Sequence, residues 1–222
     1  MPNFFYAKKL EKPEDVKSHL AKEYHWKKNY SAYELAHSWI GSGDFPAPVR
    51  EILTKSPKYQ SAEIVEALFE RDVDLRTAGR NSQADILVFA ALVQGYAAIA
   101  VEGKVEETFG NLVAEWNDGS PGKVARLSSL CKLLNLTSDV GRLRYQLFHR
   151  TACAVFEAQR YRCANALVLV HSFSAMQSHF ADFVEFTKAV GAPVTSTGEM
   201  SKEVILDGVH TQFAWCADTF AV

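Results

Sequence analysis

Two acids and a lysine lie at the ends of neighbouring apolar segments. Asp85 begins the segment ADILVFAA, and Glu102 and Lys104 end the segment AAIAVEGK. A short turn would join these segments as antiparallel strands, and the two ends would then meet at one edge of a sheet. Side chains two residues apart on a strand share a face, so Glu102 and Lys104 point the same way. We therefore expect Asp85, Glu102 and Lys104 to converge on one site.

Metal-assisted hydrolysis is the chemistry that this trio suits. Two carboxylates are hard oxygen ligands, and together with the main-chain carbonyl of Gly103 they are expected to bind Mg²⁺ or Mn²⁺. A bound divalent cation lowers the pKa of a water molecule and neutralises phosphate charge. Lys104 would assist the attacking water or stabilise the charge that develops on phosphorus. The trio thus predicts phosphodiester hydrolysis, with Asp85 and Glu102 as metal ligands and Lys104 as a catalytic residue.

The elements that must position these residues follow from apolar periodicity and turn signals. Nearly continuous apolar runs predict strands that are covered on both faces. The predicted strands cover residues 73–75, 84–91, 97–105, 166–171, 203–206 and 209–216. The predicted helices cover residues 13–22, 49–53, 61–70, 123–134, 142–160 and 179–190, with a further aromatic helical segment over 25–40. This order predicts an α/β (or α+β) domain with a mixed sheet.

The motif and its surroundings resemble the PD-(D/E)xK nuclease superfamily. The sequence has Asp85, then sixteen residues, then Glu102-Gly103-Lys104, after a predicted helix and hairpin and before a helix and strand. The resemblance implies a restriction-endonuclease-like core of helix, three-stranded meander, helix and strand over residues 61–172. Residues 1–60 would then be a helical extension and residues 173–222 an added helix and hairpin, all in a single domain. Ala84 stands where many members have a proline.

The resemblance also implies further site residues. In such folds the first helix often supplies another acid, for which Glu63, Glu66 and Glu70 are candidates; we favour Glu70, with Glu66 next. In exonuclease-like members a later helix supplies a glutamine or tyrosine near the phosphate, and Gln146 is similar to that residue. Gln146 shares a helix face with His149 and Arg150, which are candidates for substrate contact. Gln83, near Asp85, is a third candidate. The members of this predicted substrate-binding set are Arg150, His149 and Gln83.

Other interpretations of the same residues stay open. The glutamates of residues 61–70 also fit a solvated helix face, and Arg150 also fits a structural ion pair with a nearby acid such as Glu157 or Asp139. The chain would then be an inactive nuclease-like interaction module, or a small-molecule α/β enzyme in which Asp85, Glu102 and Lys104 act as acid and base. The stretches SQADILVF, AIAVEGKV and LRYQLFHRTACAVFEA resemble an uncharacterised bacterial family of conserved proteins.

Composition limits the partners and the location. The 222 residues have 24 Lys and Arg against 26 Asp and Glu, a net charge of −2, which excludes a generally basic nucleic-acid binder. The hydrophobic fraction of 48% excludes general disorder. Because the N-terminus lacks a signal-peptide core, no apolar run spans a membrane and the four cysteines form no CxxC, we expect a cytoplasmic protein. Nucleic acid (DNA more than RNA) is the expected partner, with a possible homodimer. Basic residues that would line a groove if they share a face are Arg71, Arg76, Arg80, Lys123, Arg126, Arg142, Arg144 and Arg150.

Overall fold

A mixed six-stranded sheet forms the centre of the molecule in a computed structural model that describes residues 8–20, 23–77 and 79–220. The order of the strands across the sheet is β1-β2-β3-β4-β6-β5. The first three strands form an antiparallel meander, β3, β4 and β6 run parallel, and β5 pairs antiparallel with β6. The strands are β1 (Glu63–Val73), β2 (Ser82–Ala91), β3 (Tyr96–Lys104), β4 (Asn165–Ser172), β5 (Val204–Leu206) and β6 (Val209–Ala217).

Helices cover both faces of this sheet, which makes the fold a three-layer α/β arrangement. Helices α1 and α2 pack on one face, where residues such as Leu35 and Leu53 meet Ile99 and Val101. Helices α3 to α6 contribute to the core on the other face, with Phe148 from α5 as one of its fully buried side chains. The strands between them are apolar on both sides because both sides are buried. The helices are α1 (Ser31–Ser42), α2 (Ala47–Thr54), α3 (Val113–Trp116), α4 (Pro121–Leu133), α5 (Tyr145–Arg160) and α6 (Phe180–Ala189).

The helix predicted over residues 61–70 is wrong, and so is the separate strand over 73–75. Residues 63–73 form the single edge strand β1, and residues 74 and 75 follow it outside any strand. The ladder between β1 and β2 shifts register between Ile64 and Glu66, which leaves Val65 as an extra, exposed residue. Because of this bulge, Ile64 and Ala67 pack against the same core although they are three residues apart. A spacing of three mimics the period of a helix, which accounts for the wrong prediction.

Most other predicted elements are confirmed to within a few residues. The meander strands β2 and β3, the long helix α5, strand β4 and the terminal β5–β6 hairpin lie where the sequence places them. The helix predicted over residues 13–22 is a 3-10 helix, Pro13–His19, and Lys22 lies outside the described residues. A second short 3-10 helix, Glu23–His25, precedes α1. The N-terminal segment, predicted to be an extension, supplies an outer layer of the fold through α1 and α2. Within the described residues no helix is long and apolar enough to span a membrane.

Candidate active site

Three acids form one row across the three strands of the meander. Phe69 of β1 pairs with Ile86 of β2, and Arg71 pairs with Ala84, so the register between these pairs places Glu70 opposite Asp85. The ladder between β2 and β3 ends at the pair of Ile86 and Val101, and the next position places Asp85 opposite Glu102. Residues opposite each other on neighbouring strands point to the same face. Asp85 and Glu102 therefore lie side by side on the face that α5 covers. Glu70, whose φ of 52° departs from regular strand backbone, lies close enough to both for their charges to affect its pKa.

Gly103 lets two elements approach this row closely. Its amide donates a hydrogen bond of 2.8 Å to Oδ2 of Asp85, which ties the end of β3 to β2. On the opposite face, α1 lies so close that a Cβ at position 103 would stand 2.4 Å from Cδ1 of Leu35. The glycine between Glu102 and Lys104 is thus explained by the packing of α1. The sequence predicted that the carbonyl of Gly103 would join the acids as a metal ligand. The contact present in the structure is instead the hydrogen bond from its amide to Asp85.

Two buried cations neutralise Glu102. Lys104 Nζ donates to Glu102 Oε1 at 2.8 Å and to Gln146 Oε1 at 3.2 Å, and it lies 4.8 Å from the centre of the Phe109 ring. The guanidinium of Arg150 donates through Nε to Glu102 Oε2. Glu102, Lys104 and Arg150 are each less than a tenth exposed. Such an ion cluster is held in place because each buried charge has a partner of opposite sign.

Arg150 also joins β2 to α5. Its guanidinium donates to Asp85 Oδ1 at 3.2 Å, to Ser82 Oγ at 3.2 Å and to the carbonyl of Gln83. The structural ion pair that the sequence left open is therefore present. The alternative that named Glu157 as the partner is wrong, since Glu157 pairs with Arg71 and Arg160 instead.

The three acids differ in charge because their surroundings differ. Burial, and after it the neighbouring charge of Asp85, raises the pKa of Glu70 to about 8. Burial and the charge of Glu102 raise the pKa of Asp85 to about 6, against the opposing effect of Arg150. Burial alone would raise the pKa of Glu102 as well, but Arg150 and Lys104 hold that pKa at about 2. The surroundings thus favour the ionised form of Glu102 and the protonated form of Glu70.

A cavity of about 410 Å³ opens beside the acid row. It brings together most of the side chains that the sequence singled out. Leu20, His25 and Tyr30 of the N-terminal segment also line it, and the first turn of α1 adds Ser31. The predicted site residues that line this cavity are Glu70, Gln83, Asp85, Glu102, Gly103, Lys104, Gln146 and Arg150.

His149 and two of the alternative glutamates lie elsewhere. His149 accompanies Gln146 and Arg150 on α5 but lines two neighbouring cavities, and its Nδ1 lies 2.7 Å from Ser82 Oγ. Burial, followed by the charge of Arg150, lowers the pKa of His149 to about 3, so the ring is neutral. Glu63 and Glu66 are exposed on β1 and do not line the cavity.

Glu107 is a cavity residue that sequence reasoning missed. Its carboxylate accepts hydrogen bonds from the amides of Ser31 at 3.1 Å and Val105 at 2.7 Å. It thereby joins the N-terminus of α1 to the segment after β3. Its place three residues after Lys104 was the only signal in the sequence. Its contact with Ser31 joins residues far apart in the chain, which sequence reasoning does not reveal.

The donor set is compatible with a divalent cation. Mg²⁺ is usually held by one or two carboxylates and keeps several waters, and Asp85 with Glu102 would supply those carboxylates. After burial, repulsion among Glu70, Asp85 and Glu102 raises the pKa of Glu70 and of Asp85, and a bound cation would relieve that repulsion. Within the described part of the chain, however, no group of three or more His, Cys, Asp or Glu side chains is already arranged around a metal position.

Fold and site together define an α/β protein with a cluster of acidic and basic side chains. The cluster lies at the edge of the sheet where β2 begins and β3 ends. The chain belongs to the family described as a domain of unknown function, DUF6946, whose sequence model matches residues 9–220. No curated protein and no solved structure matches the chain.

Proposed function

We propose that this protein is a divalent-metal-dependent phosphodiesterase that acts on nucleic acid. The observation that carries the proposal is the convergence of Asp85, Glu102 and Lys104 on one cavity, with Glu70 in the same row. Carboxylates can hold a metal that activates water for hydrolysis of a phosphodiester, and a lysine beside them can stabilise the charge that develops.

The order of elements supports a restriction-endonuclease-like fold within this proposal. A helix (α1) precedes the meander β1–β3, and α5 then leads to β4, which lies parallel to β3. The helix at the start of this order is α1 and not the segment 61–70. Glu70 therefore belongs to the first strand, unlike the helical acid that the resemblance to PD-(D/E)xK nucleases implies.

In this proposal Asp85 and Glu102 would hold Mg²⁺ or Mn²⁺, with Glu70 beside them once it is ionised. The cation would supply an activated water and neutralise phosphate charge. Lys104, fixed by Glu102 and Gln146, stabilises negative charge that develops on the phosphoryl oxygens. Arg150 lines the cavity and adds a second positive charge at the same position.

Cleavage assays with Mg²⁺ or Mn²⁺ test the proposal. Single-stranded, double-stranded and branched DNA, and RNA, are incubated with the wild type and with Lys104→Met, which retains the length of the side chain. We expect wild-type cleavage and a loss of about 10²–10³-fold in the variant, as for removal of a group that stabilises the transition state. Lys188→Met, an exposed lysine of α6, is the matched control and should cut normally. The proposal fails if no substrate is cut or if Lys104→Met retains full activity.

A non-catalytic interaction module is the second candidate, and the contacts of Arg150 favour it. This guanidinium already supplies positive charge to both Asp85 and Glu102. If Arg150 stays there permanently, the carboxylates need no metal. Titration calorimetry with Mn²⁺ separates the two functions, because an absence of binding at millimolar Mn²⁺ would support the module and contradict the phosphodiesterase.

A further inference from the structure

A second cavity, of about 670 Å³, lies directly beside the candidate active site. Gln83 and Arg150 line both cavities, so they form the wall between them. The second cavity, here called the α4 groove, continues along Arg80, the first turns of α4 and the start of α5. An extended ligand in the α4 groove would therefore end at the acid row.

The α4 groove is positively charged, whereas the active-site cavity is rich in acids. Of the residues that line the α4 groove, four are basic and none is acidic: Arg80, Lys123, Arg126 and Arg150. The active-site cavity is lined by Glu70, Asp85, Glu102 and Glu107. Although the whole chain has a net charge of −2, this face attracts anions.

The basic side chains of the α4 groove are placed to contact an incoming anion. Arg80 is exposed, and within the described residues its guanidinium makes no hydrogen bond or ion pair. Lys123 pairs with Asp118 at 2.9 Å, but both side chains are more than a third exposed, and an exposed pair of this kind is weak. Arg126 is oriented by Tyr145 Oη and the carbonyl of Arg80, at 2.8 and 2.7 Å.

An aromatic platform lies in the same groove. The rings of Trp116 and Tyr145 stack with centroids 3.7 Å apart and planes within 10°. Trp116 is partly exposed and lines the α4 groove, with Nζ of Lys123 5.5 Å from its ring centre. A flat aromatic ring among basic side chains is the arrangement that proteins use to stack bases while contacting phosphates.

We propose that the α4 groove binds a single-stranded polynucleotide and leads it to the acid row. Phosphates contact Arg80, Lys123 and Arg126, and one base stacks on Trp116. Bases in a duplex are already stacked and cannot lie on Trp116. This inference rests on the proposed function and specifies its substrate.

Binding without metal tests the groove separately from catalysis. The probe is a fluorescein-labelled oligo(dT) of about 12 nucleotides in EDTA, within the range of site sizes of single-strand binders. Its fluorescence anisotropy gives Kd at several salt concentrations. We expect Arg80→Ala and Lys123→Ala each to weaken binding and to reduce the salt slope by about 0.7. Lys132→Ala removes an exposed lysine of the same helix outside the groove and should leave both unchanged.

Trp116 is tested by paired substitutions. Trp116→Leu should weaken oligo(dT) binding about tenfold, and Trp116→Phe should retain most of it, because only an aromatic ring stacks on a base. Since Trp116 also packs against the core, thermal unfolding checks the fold of both variants. Arg80 and Lys123 are not among the core residues, so their variants test binding even if a Trp116 variant is destabilised.

Several results would contradict the proposal that the α4 groove binds a single-stranded polynucleotide. Unchanged Kd and salt slope in Arg80→Ala and Lys123→Ala would do so, as would a duplex of equal length that binds as tightly as the single strand. Displacement of the probe by thymidine monophosphate at equal nucleotide concentration would indicate a small-molecule site instead. Oligonucleotide that binds in EDTA but is never cut with Mn²⁺ would contradict the proposed function alone. Cleavage that is unaffected in Arg80→Ala and Lys123→Ala would contradict substrate binding in the α4 groove and leave the proposed function standing.

Discussion

At the scale of single residues, the site depends most on Arg150. Its side chain is buried, and it contacts Glu102, Asp85, Ser82 and the carbonyl of Gln83. Loss of one partner from a buried ion cluster leaves the remaining charges without compensation, which is far more costly than loss of an exposed ion pair. Arg150 is therefore both a support for the acid row and a competitor of any cation that binds there.

Arg150→Gln tests this double role. We expect the variant to lose about 3–5 kcal/mol of unfolding free energy without metal, because Glu102 and Asp85 keep their buried charges but lose the guanidinium. Mn²⁺ should restore part of the loss and stabilise the variant more than the wild type, since the cation replaces the missing positive charge. Urea unfolding with and without Mn²⁺ measures both effects.

Arg142→Gln is the control for Arg150→Gln, because Arg142 is an exposed arginine just before α5. It should change stability by less than about 0.5 kcal/mol. A similarly small effect of Arg150→Gln would show that the ion cluster does not support the fold. A full loss that Mn²⁺ leaves uncorrected would contradict metal binding at Asp85 and Glu102.

At the scale of elements, the close packing of α1 on β3 constrains the strand end that carries Glu102 and Lys104. Gly103→Ala tests this packing. The added methyl group would lie 2.4 Å from Leu35 Cδ1 and 2.8 Å from its Cγ, so the buried Leu35 side chain or α1 must shift. We expect a destabilisation of about 1–3 kcal/mol, as for overpacking of a core, measured by urea unfolding.

A second glycine in the same packing unit provides the matched control. Gly41 lies in α1, and a Cβ there would meet nothing within 4 Å. Gly41→Ala should stabilise the protein by about 0.5–1 kcal/mol, because alanine loses less backbone entropy in a helix. If Gly103→Ala is as harmless as Gly41→Ala, the close approach of α1 does not constrain position 103.

Elements with a simple pattern were predictable from the sequence, and β1 was not. Strands β2 and β3 are apolar on both faces, and their joining turn fixes their pairing, so the meeting of Asp85 with Glu102 could be predicted. The bulge at Val65 disturbs the alternation of β1, and an edge strand is only partly buried, so its pattern resembled a helix. Glu70 was the preferred acid of its segment, and it lies in the row through strand register and not through a helix face.

Contacts between distant segments were beyond the reach of the sequence. The stripe of Gln146 and Arg150 on α5 was visible, but its partners on β2 and β3 are set by how α5 crosses the sheet. For the same reason the sequence could not decide which basic residues share a face. The structure places Arg80, Lys123, Arg126 and Arg150 in one groove, while Arg71 pairs with Glu157 and Arg144 with Asp182.

At the scale of the whole molecule, one buried histidine joins three parts of the chain. Trp39 of α1 donates from Nε1 to His171 Nδ1 at 3.0 Å, and His171 Nε2 lies 3.0 Å from Oδ2 of Asp218, which follows β6. Because the indole can only donate, Nδ1 must accept, so Nε2 carries the proton and donates to Asp218. The neutral ring of His171 thus connects α1, β4 and the C-terminal segment.

Acid should weaken this connection, and the sign follows from the pKa of His171. Burial lowers that pKa below its ordinary value, against the opposing effect of Asp218. Below a pH of about 6.5 the unfolded chain binds a proton at this residue while the native ring does not, so the free energy of unfolding falls as pH falls. The contribution of His171 approaches at most about 1.4 kcal/mol per pH unit. Urea unfolding from neutral to mildly acidic pH measures it.

His171→Gln isolates the effect, because glutamine can accept from Trp39 and donate to Asp218 without titrating. We expect the variant to lose less stability than the wild type as pH falls, while His19→Gln, an exposed position, follows the wild type. His149 contributes with the same sign and Glu70 with the opposite sign, but both are present in all three proteins and cancel in the comparison. Equal pH dependence in His171→Gln and the wild type would contradict a neutral, doubly bonded His171, because protonation of that ring must break the bond from Trp39.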